Sequence, residues 1–244
     1  MPTYRSPAMI RSMARGQLLG KYPITAAAFM SVLMITIMVR FLSAVFINAS
    51  GVPGYILSLI TTFIISLFMG IINVGVLFMA LKISCNEAIS LNDLFYGFNY
   101  YPKKIIIIQA VLSGISLVAT LPASILRFIY GNNGDTDLLP VIITFYVAGL
   151  SVYFFLSLVF SQSFFLLLDF EDKSPQELLM KSNMIMNGHK KRLFMLWLSF
   201  VPLFILSVLS CCIGFIWVMP YVKVALANFY MDLMQNRDCG SSPQ

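Results

Sequence analysis

Apolar runs long enough to cross a bilayer recur from one end of this chain to the other, and no other feature restricts its fold so severely. A helix needs about 20 consecutive apolar residues to traverse roughly 30 Å of hydrocarbon. Six such runs can be marked, at about 23–46, 55–81, 105–127, 140–168, 193–210 and 214–234. Composition agrees, with 11% of residues charged where soluble domains carry about 25%. The expected fold is all-α: a polytopic membrane protein with six transmembrane helices arranged as three hairpins. Turn-rich segments mark two reversals, Asn48-Ala49-Ser50-Gly51-Val52-Pro53-Gly54 and Gly131-Asn132-Asn133-Gly134-Asp135, and Cys211 to Gly214 marks the third. Ile24 to Val39 is longer than the apolar part of a signal peptide and no A-x-A site follows, so the first run reads as an uncleaved anchor.

Charge then orients the spans. Lys and Arg collect in loops that stay in the cytoplasm. The segment before the first span, residues 82–104, residues 173–192 and the tail hold thirteen basic residues, against Arg40 and Arg127 on the other side. Both termini are therefore expected in the cytoplasm. Were 193–234 one span plus a surface segment, the C-terminus would lie outside. The net charge of +6 follows from this flanking pattern and does not form a separate basic domain, so nucleic acid is not an expected partner.

Ser6, Ser90 and Ser174 stand at equal intervals of 84 residues, and each opens a candidate interfacial helix leading to a basic stop and a pair of apolar runs. Ser6-Pro7 and Ser174-Pro175 carry the N-cap serine with proline at the first helical position. Ser90 and Asp93 have capping-box spacing. The pattern predicts repeat units of about 6–82, 90–168 and 174–234 inside one membrane domain, 1–234, with 235–244 as a disordered tail. The short helices are imperfect amphipaths: Leu178, Leu179, Ile185 and Met186 share an arc that Ser182 interrupts. They are expected on the membrane surface or against neighbouring loops, the surface being favoured.

No HExxH, GxSxG or P-loop is present, so no enzymatic activity, metal or cofactor is expected. A rival reading would pair His189 with Asp169 and Asp172 as a catalytic set at the cytoplasmic face. The four cysteines form no ligand cluster, and Cys211-Cys212 reads as a pair of small buried hydrophobes near the outer face. Arg11, Arg15, Lys21, Lys103, Lys104, His189, Lys190, Lys191 and Arg192 are candidates to bind lipid headgroups, each basic residue contributing about 1 kcal/mol at an anionic surface. Plain positive-inside anchoring predicts the same residues.

Lys223 is the sharper candidate, because it falls within the sixth run, where a lysine costs roughly 3 kcal/mol. Pro220, three residues earlier, deprives the Ile216 carbonyl of its helical donor, and a broken helix beside a cation is a form that ion sites take. The alternative is that Lys223 snorkels to the interface or donates to that freed backbone. Asn73, Gln162, Pro220, Tyr221, Lys223 and Asn228 make up the candidate intramembrane polar site, with Gln109 a further polar group in a span. Side chains of this kind usually bond between helices.

Residues 169–234 resemble the conserved end of a family of bacterial integral membrane proteins catalogued as domain of unknown function 975. The resemblance rests on Asp169, Ser174-Pro175, Lys181-Ser182, Met186-Asn187-Gly188-His189-Lys190, Leu193-Phe194 and Leu198-Ser199-Phe200. It continues through Ile213-Gly214, Trp217-Val218, Pro220-Tyr221 and Asn228-Phe229-Tyr230, and more loosely through Ala14, Leu18 and Lys21. Val201-Pro202 stands where that family has Gly-Trp. The resemblance implies a multi-span bacterial cell-membrane protein and no particular activity. The functional expectation is a non-enzymatic scaffold, accessory or regulatory subunit engaging anionic lipid, with membrane lipids and another membrane protein or a second copy as partners. The alternative is a small transporter or channel built around Pro220 and Lys223.

Overall fold

The structure, a computed structural model, describes residues 4–46, 51–131, 139–211 and 213–238, and every regular element among them is helical. In order these are α1 (Pro7–Leu18), α2 (Tyr22–Phe46), α3 (Gly51–Ser84), a 3-10 turn (Leu91–Phe95), α4 (Tyr96–Asn99), α5 (Pro102–Gly131), α6 (Leu139–Phe160), α7 (Ser163–Asp169), α8 (Pro175–Met186), α9 (Lys190–Leu198), α10 (Val201–Leu209) and α11 (Phe215–Asp238). Five segments are long and apolar enough to cross a membrane: Tyr22–Ser43, Val52–Ser84, Pro102–Phe128, Leu139–Asp169 and Lys190–Leu209. Met34, Phe41, Phe68, Phe155 and Leu209 stand exposed on them. Bare apolar surface on that scale suits hydrocarbon and not water.

α11 is different. Its 24 residues reach about 36 Å at 1.5 Å per residue, but Lys223, Asn228 and Asp232 make it too polar to rank with the other five. It is instead the most enclosed of the long helices, packed against α1, α2, α3 and α10. Val224, Ala225, Ala227 and Phe229 are at most 1% exposed. Pro220 does not break it, contrary to expectation. The proline lies inside the helix and leaves the Ile216 carbonyl without its donor, yet the helix runs on through it.

Two other apolar runs are broken. The fourth splits at Ser161-Gln162 into α6 and α7, and the fifth splits at Ser199-Phe200 into α9 and α10. Pro202 lies in the first turn of α10, where its missing N–H costs nothing.

The short helices pack on protein. α1 buries Ile10, Ala14 and Leu18, and α8 buries Leu178, Ser182 and Met186. α1 rests on α3, α9 and α11; α8 rests on α5, α6 and α7. Only their far faces, with Met9, Met180 and Met184, stay exposed. Their caps match closely: Ser6 has φ −69° and ψ 154°, Ser174 has φ −70° and ψ 152°, and each hydroxyl accepts from the backbone N–H three residues on. Beyond each helix a glycine turns the chain with positive φ, Gly20 at 80° and Gly188 at 82°, a conformation that costs a residue with a Cβ.

The middle segment is not a comparable helix but the 3-10 turn followed by one-turn α4. Its capping box does form, Ser90 N donating to Asp93 Oδ2 at 2.8 Å. The turn lies so close to α3 that a Cβ on Gly75 would run into the Leu94 carbonyl.

α11 continues to Asp238, so residues 235–238, expected in the tail, are helical. Residues 239–244, Asn48 to Ser50 and Asn132 to Asp135 of the expected turns, and Cys212 lie outside the described residues; Gly51 to Gly54, expected in the first of those turns, instead form the first turn of α3. Cys211, expected to be buried, is exposed at a turn with φ 53°.

Candidate functional site

α3 and α11 pack side by side, and across their seam Lys223 Nζ donates to Asn73 Oδ1 at 3.0 Å. No carboxylate joins them. Among the described residues the ion pairs are Arg5–Asp232, Lys82–Asp93 and Arg192–Asp232. Lys223 and Asn73 instead face a cavity of about 360 Å³, whose wall also includes Gln162, Ser157, Ser161 and Trp197. The break between α6 and α7 places Gln162 at the N-cap of α7. Gln162 is 0% exposed; its Nε2 donates to Ser161 Oγ at 3.0 Å, and its Oε1 has no hydrogen-bond partner. The site therefore combines a cation, amide groups and hydroxyls on an otherwise apolar and aromatic wall.

Of the six residues expected to form an intramembrane polar site, the structure brings Asn73, Gln162 and Lys223 together at this cavity. Pro220 lies with Lys223 on a second, much smaller void beside Thr25 and Ala28. Asn228 and Tyr221 do other work. Asn228 Nδ2 donates to Gln17 Oε1 at 2.7 Å, Gln17 Nε2 donates to the Ser84 carbonyl at 3.0 Å, and Tyr221 OH donates to the Arg11 carbonyl at 3.1 Å. These bonds clamp α1 onto α3 and α11. Gln109 Nε2 donates to Ser113 Oγ at 3.3 Å within α5.

Reasoning from sequence missed Asp232, an acid nine places beyond Lys223 in the same run. Asp232 is 1% exposed. Arg192 Nη2 donates to its Oδ2 at 2.6 Å, and the Arg5 backbone N–H donates to its Oδ1 at 3.3 Å. Arg192 also donates to the Arg5 carbonyl at 2.9 Å and lies over the Tyr4 ring at 4.6 Å. The signal was available: a lone acid in an apolar run needs a partner.

The basic residues divide into two groups. Arg11 donates to the Ser199 carbonyl, Lys21 to the Glu87 carbonyl, Lys104 to the carbonyls of Glu171 and Lys173, and Arg192 to Asp232. Arg15, Lys103, Lys190 and Lys191 remain exposed. His189 packs tilted against the Tyr4 ring, with centroids 4.6 Å apart and planes inclined at 56°, and its Nδ1 is buried without a partner. Burial, and then the nearby Arg192, hold its pKa below the ordinary value, with Asp232 opposing.

Asp169 accepts from Tyr230 OH at 2.8 Å. With Asp172, Glu171, Glu177 and Lys173 it lines an open hollow that does not include His189. The histidine and carboxylates of the rival catalytic reading thus belong to different surroundings. Nearby, the Tyr101 hydroxyl donates to Glu171 at 2.6 Å, and this bond pushes its pKa up to about 12. Among the described residues no group of three or more His, Cys, Asp or Glu side chains could hold a metal ion.

Long apolar helices around a polar-pinned central helix define a multi-pass membrane protein. The chain belongs to the family described as "Protein of unknown function (DUF975)", whose model matches residues 4–237. No curated protein and no solved structure matches it.

Proposed function

We propose that this is a non-enzymatic protein of six transmembrane helices, paired as three hairpins, that acts as a scaffold or regulatory subunit and engages anionic lipid along one basic face. That face is cytoplasmic and carries both termini.

The carrying observation is the set of four exposed basic residues: Arg15 in the last turn of α1, the helix that leads into α2, Lys103 in the first turn of α5, and Lys190 and Lys191 at the start of α9. Hydrogen bonds support the pairing of helices. Lys21 to Glu87 joins the start of α2 to the end of α3, Lys104 to Glu171 joins the start of α5 to the end of α7, and Arg192 to Asp232 joins the start of α9 to the end of α11. The repeat reading draws support from the matched caps of α1 and α8 and from their buried residues. Ile10, Ala14 and Leu18 correspond to Leu178, Ser182 and Met186 at the interval that separates Ser6 from Ser174.

The test is lipid competition. In vesicles mixing phosphatidylglycerol with phosphatidylcholine, the lipid retained on the purified protein should be enriched in the anionic species. Each charge contributes about 1 kcal/mol. Arg15→Gln, Lys103→Gln, Lys190→Gln and Lys191→Gln together should therefore abolish the enrichment, as should 0.5 M salt, which shortens the screening length to about 4 Å. Enrichment unchanged in the quadruple variant would refute the lipid reading.

A second reading, a small transporter or channel, is favoured by the cavity at Lys223. Flux of a solute in proteoliposomes that disappears in a folded Lys223→Met variant would select it.

A further inference from the structure

We infer that the cavity bounded by Lys223, Asn73 and Gln162 is a binding site for a monoanionic organic acid, a carboxylate on an apolar or aromatic body. This goes beyond the lipid-facing function proposed above and rests on different residues.

The charge comes first. An ammonium has three donors, and Lys223 uses one of them, on Asn73 Oδ1. Asn73 spends only that oxygen, so its amide N–H groups remain available beside the cation. A buried cation is stable when it is both paired and hydrogen-bonded. Here no side-chain carboxylate supplies the pairing, because the acids among the described residues that form ion pairs are Asp93 and Asp232. Lys223 nevertheless faces a space of about 360 Å³, within the range of small-molecule sites. A ligand carboxylate there would complete the pair with short, charge-assisted bonds.

The rest of the wall narrows the ligand. One lysine balances one negative charge, whereas a phosphate dianion would leave a second charge buried and unpaired. Phe154, Phe160, Phe164 and Trp197 supply the apolar surround, which suits a ligand body that is apolar or aromatic. Gln162 is an independent sign of a ligand. It is fully enclosed, yet its Oε1 on the cavity wall lacks a donor, and leaving such an acceptor unmet is costly. A hydroxyl or N–H on the ligand would satisfy it.

Such an acid has two sources, the bilayer and the aqueous phase, so two probes are needed: decanoate and 3-phenylpropanoate. Trp197 reports on the cavity, and the other of the two tryptophans, Trp217, is exposed and can be removed. The full chain carrying Trp217→Phe, in nanodiscs, is titrated with each acid and with its neutral amide while Trp197 emission is followed. The expected result is saturable change with at least one acid and at least tenfold weaker binding of its amide. Tighter binding of decanoate assigns the ligand to the bilayer; tighter binding of 3-phenylpropanoate assigns it to water. Adding Lys223→Met should remove acid binding while thermal unfolding stays cooperative. The amide comparison needs no such variant and stands even if that protein fails to fold. The inference is overturned if neither acid gives a saturable change, if amide and acid bind alike, or if folded Lys223→Met protein binds the acid as before.

Discussion

Asp232 carries an ionic knot on α11, the most enclosed of the long helices. Its carboxylate holds the Arg192 side chain and the Arg5 backbone N–H. Removing one partner of a buried pair costs about 3–5 kcal/mol because the other charge is left uncompensated. The Arg192 side chain keeps 23% exposure, so water shares in the loss and Asp232→Ala should cost about 2 kcal/mol. Thermal unfolding in detergent checks this, with exposed Lys103→Gln as a control expected to change stability by less than about 0.5 kcal/mol. His189 adds a pH dependence. Its folded-state pKa lies below the ordinary 6.5, so between the two values the unfolded chain binds more protons. Stability should be full above about pH 6.5 and decline as pH falls below it. His189→Gln should flatten the unfolding temperature between about pH 7.5 and 5.5, a range that brackets the ordinary histidine value; a slope unchanged by the substitution would show that another group is responsible. Sequence flagged Lys223 and Asn73 as polar groups in apolar runs. Their pairing across 150 positions was not legible, because it depends on which helices pack together. The same limit applied to Arg11 and Lys104. Their charge was plain, but the carbonyls that take up their donors are tertiary neighbours.

Helix lengths were legible because hydrocarbon thickness imposes them, and caps were legible because Ser-Pro reports a helix start directly. Ser6→Ala and Ser174→Ala should each cost about 1 kcal/mol, measured by unfolding of each variant, with equal losses expected since the two caps share geometry. The break at Ser161-Gln162 carried no such mark. Neither proline nor glycine occurs there, and the flanking residues are apolar enough to continue a helix. Pro202 lies in the first turn of α10, at the break after α9, whereas Pro220, read as a break, lies inside a helix that runs on through it. The contact between α5 and α6 depends on a small residue. A Cβ on Gly149 would strike the Ala119 carbonyl, as close helix contacts in membranes require. Gly149→Leu should therefore destabilise the pair by about 1–3 kcal/mol, seen as a lower unfolding temperature; an unchanged temperature would mean the helices separate at no cost.

At the scale of the whole molecule, the basic roots, the pairing of helix starts with helix ends, and the enclosed position of α11 all fit one arrangement. In the proposed three-hairpin arrangement α11 would return the chain across the membrane, its polar residues tolerated because other helices, not lipid, surround them. The chain's own thiols test this most directly. Variants of the full chain that retain only Cys85, only Cys211 or only Cys239 are expressed in cells and treated with a membrane-impermeant maleimide before and after permeabilisation. The account predicts that Cys211, exposed at the turn before α11, reacts in intact cells, while Cys85 and Cys239 react only once the membrane is opened. Labelling of Cys239 from outside intact cells would show that α11 does not cross, and would contradict the three-hairpin arrangement.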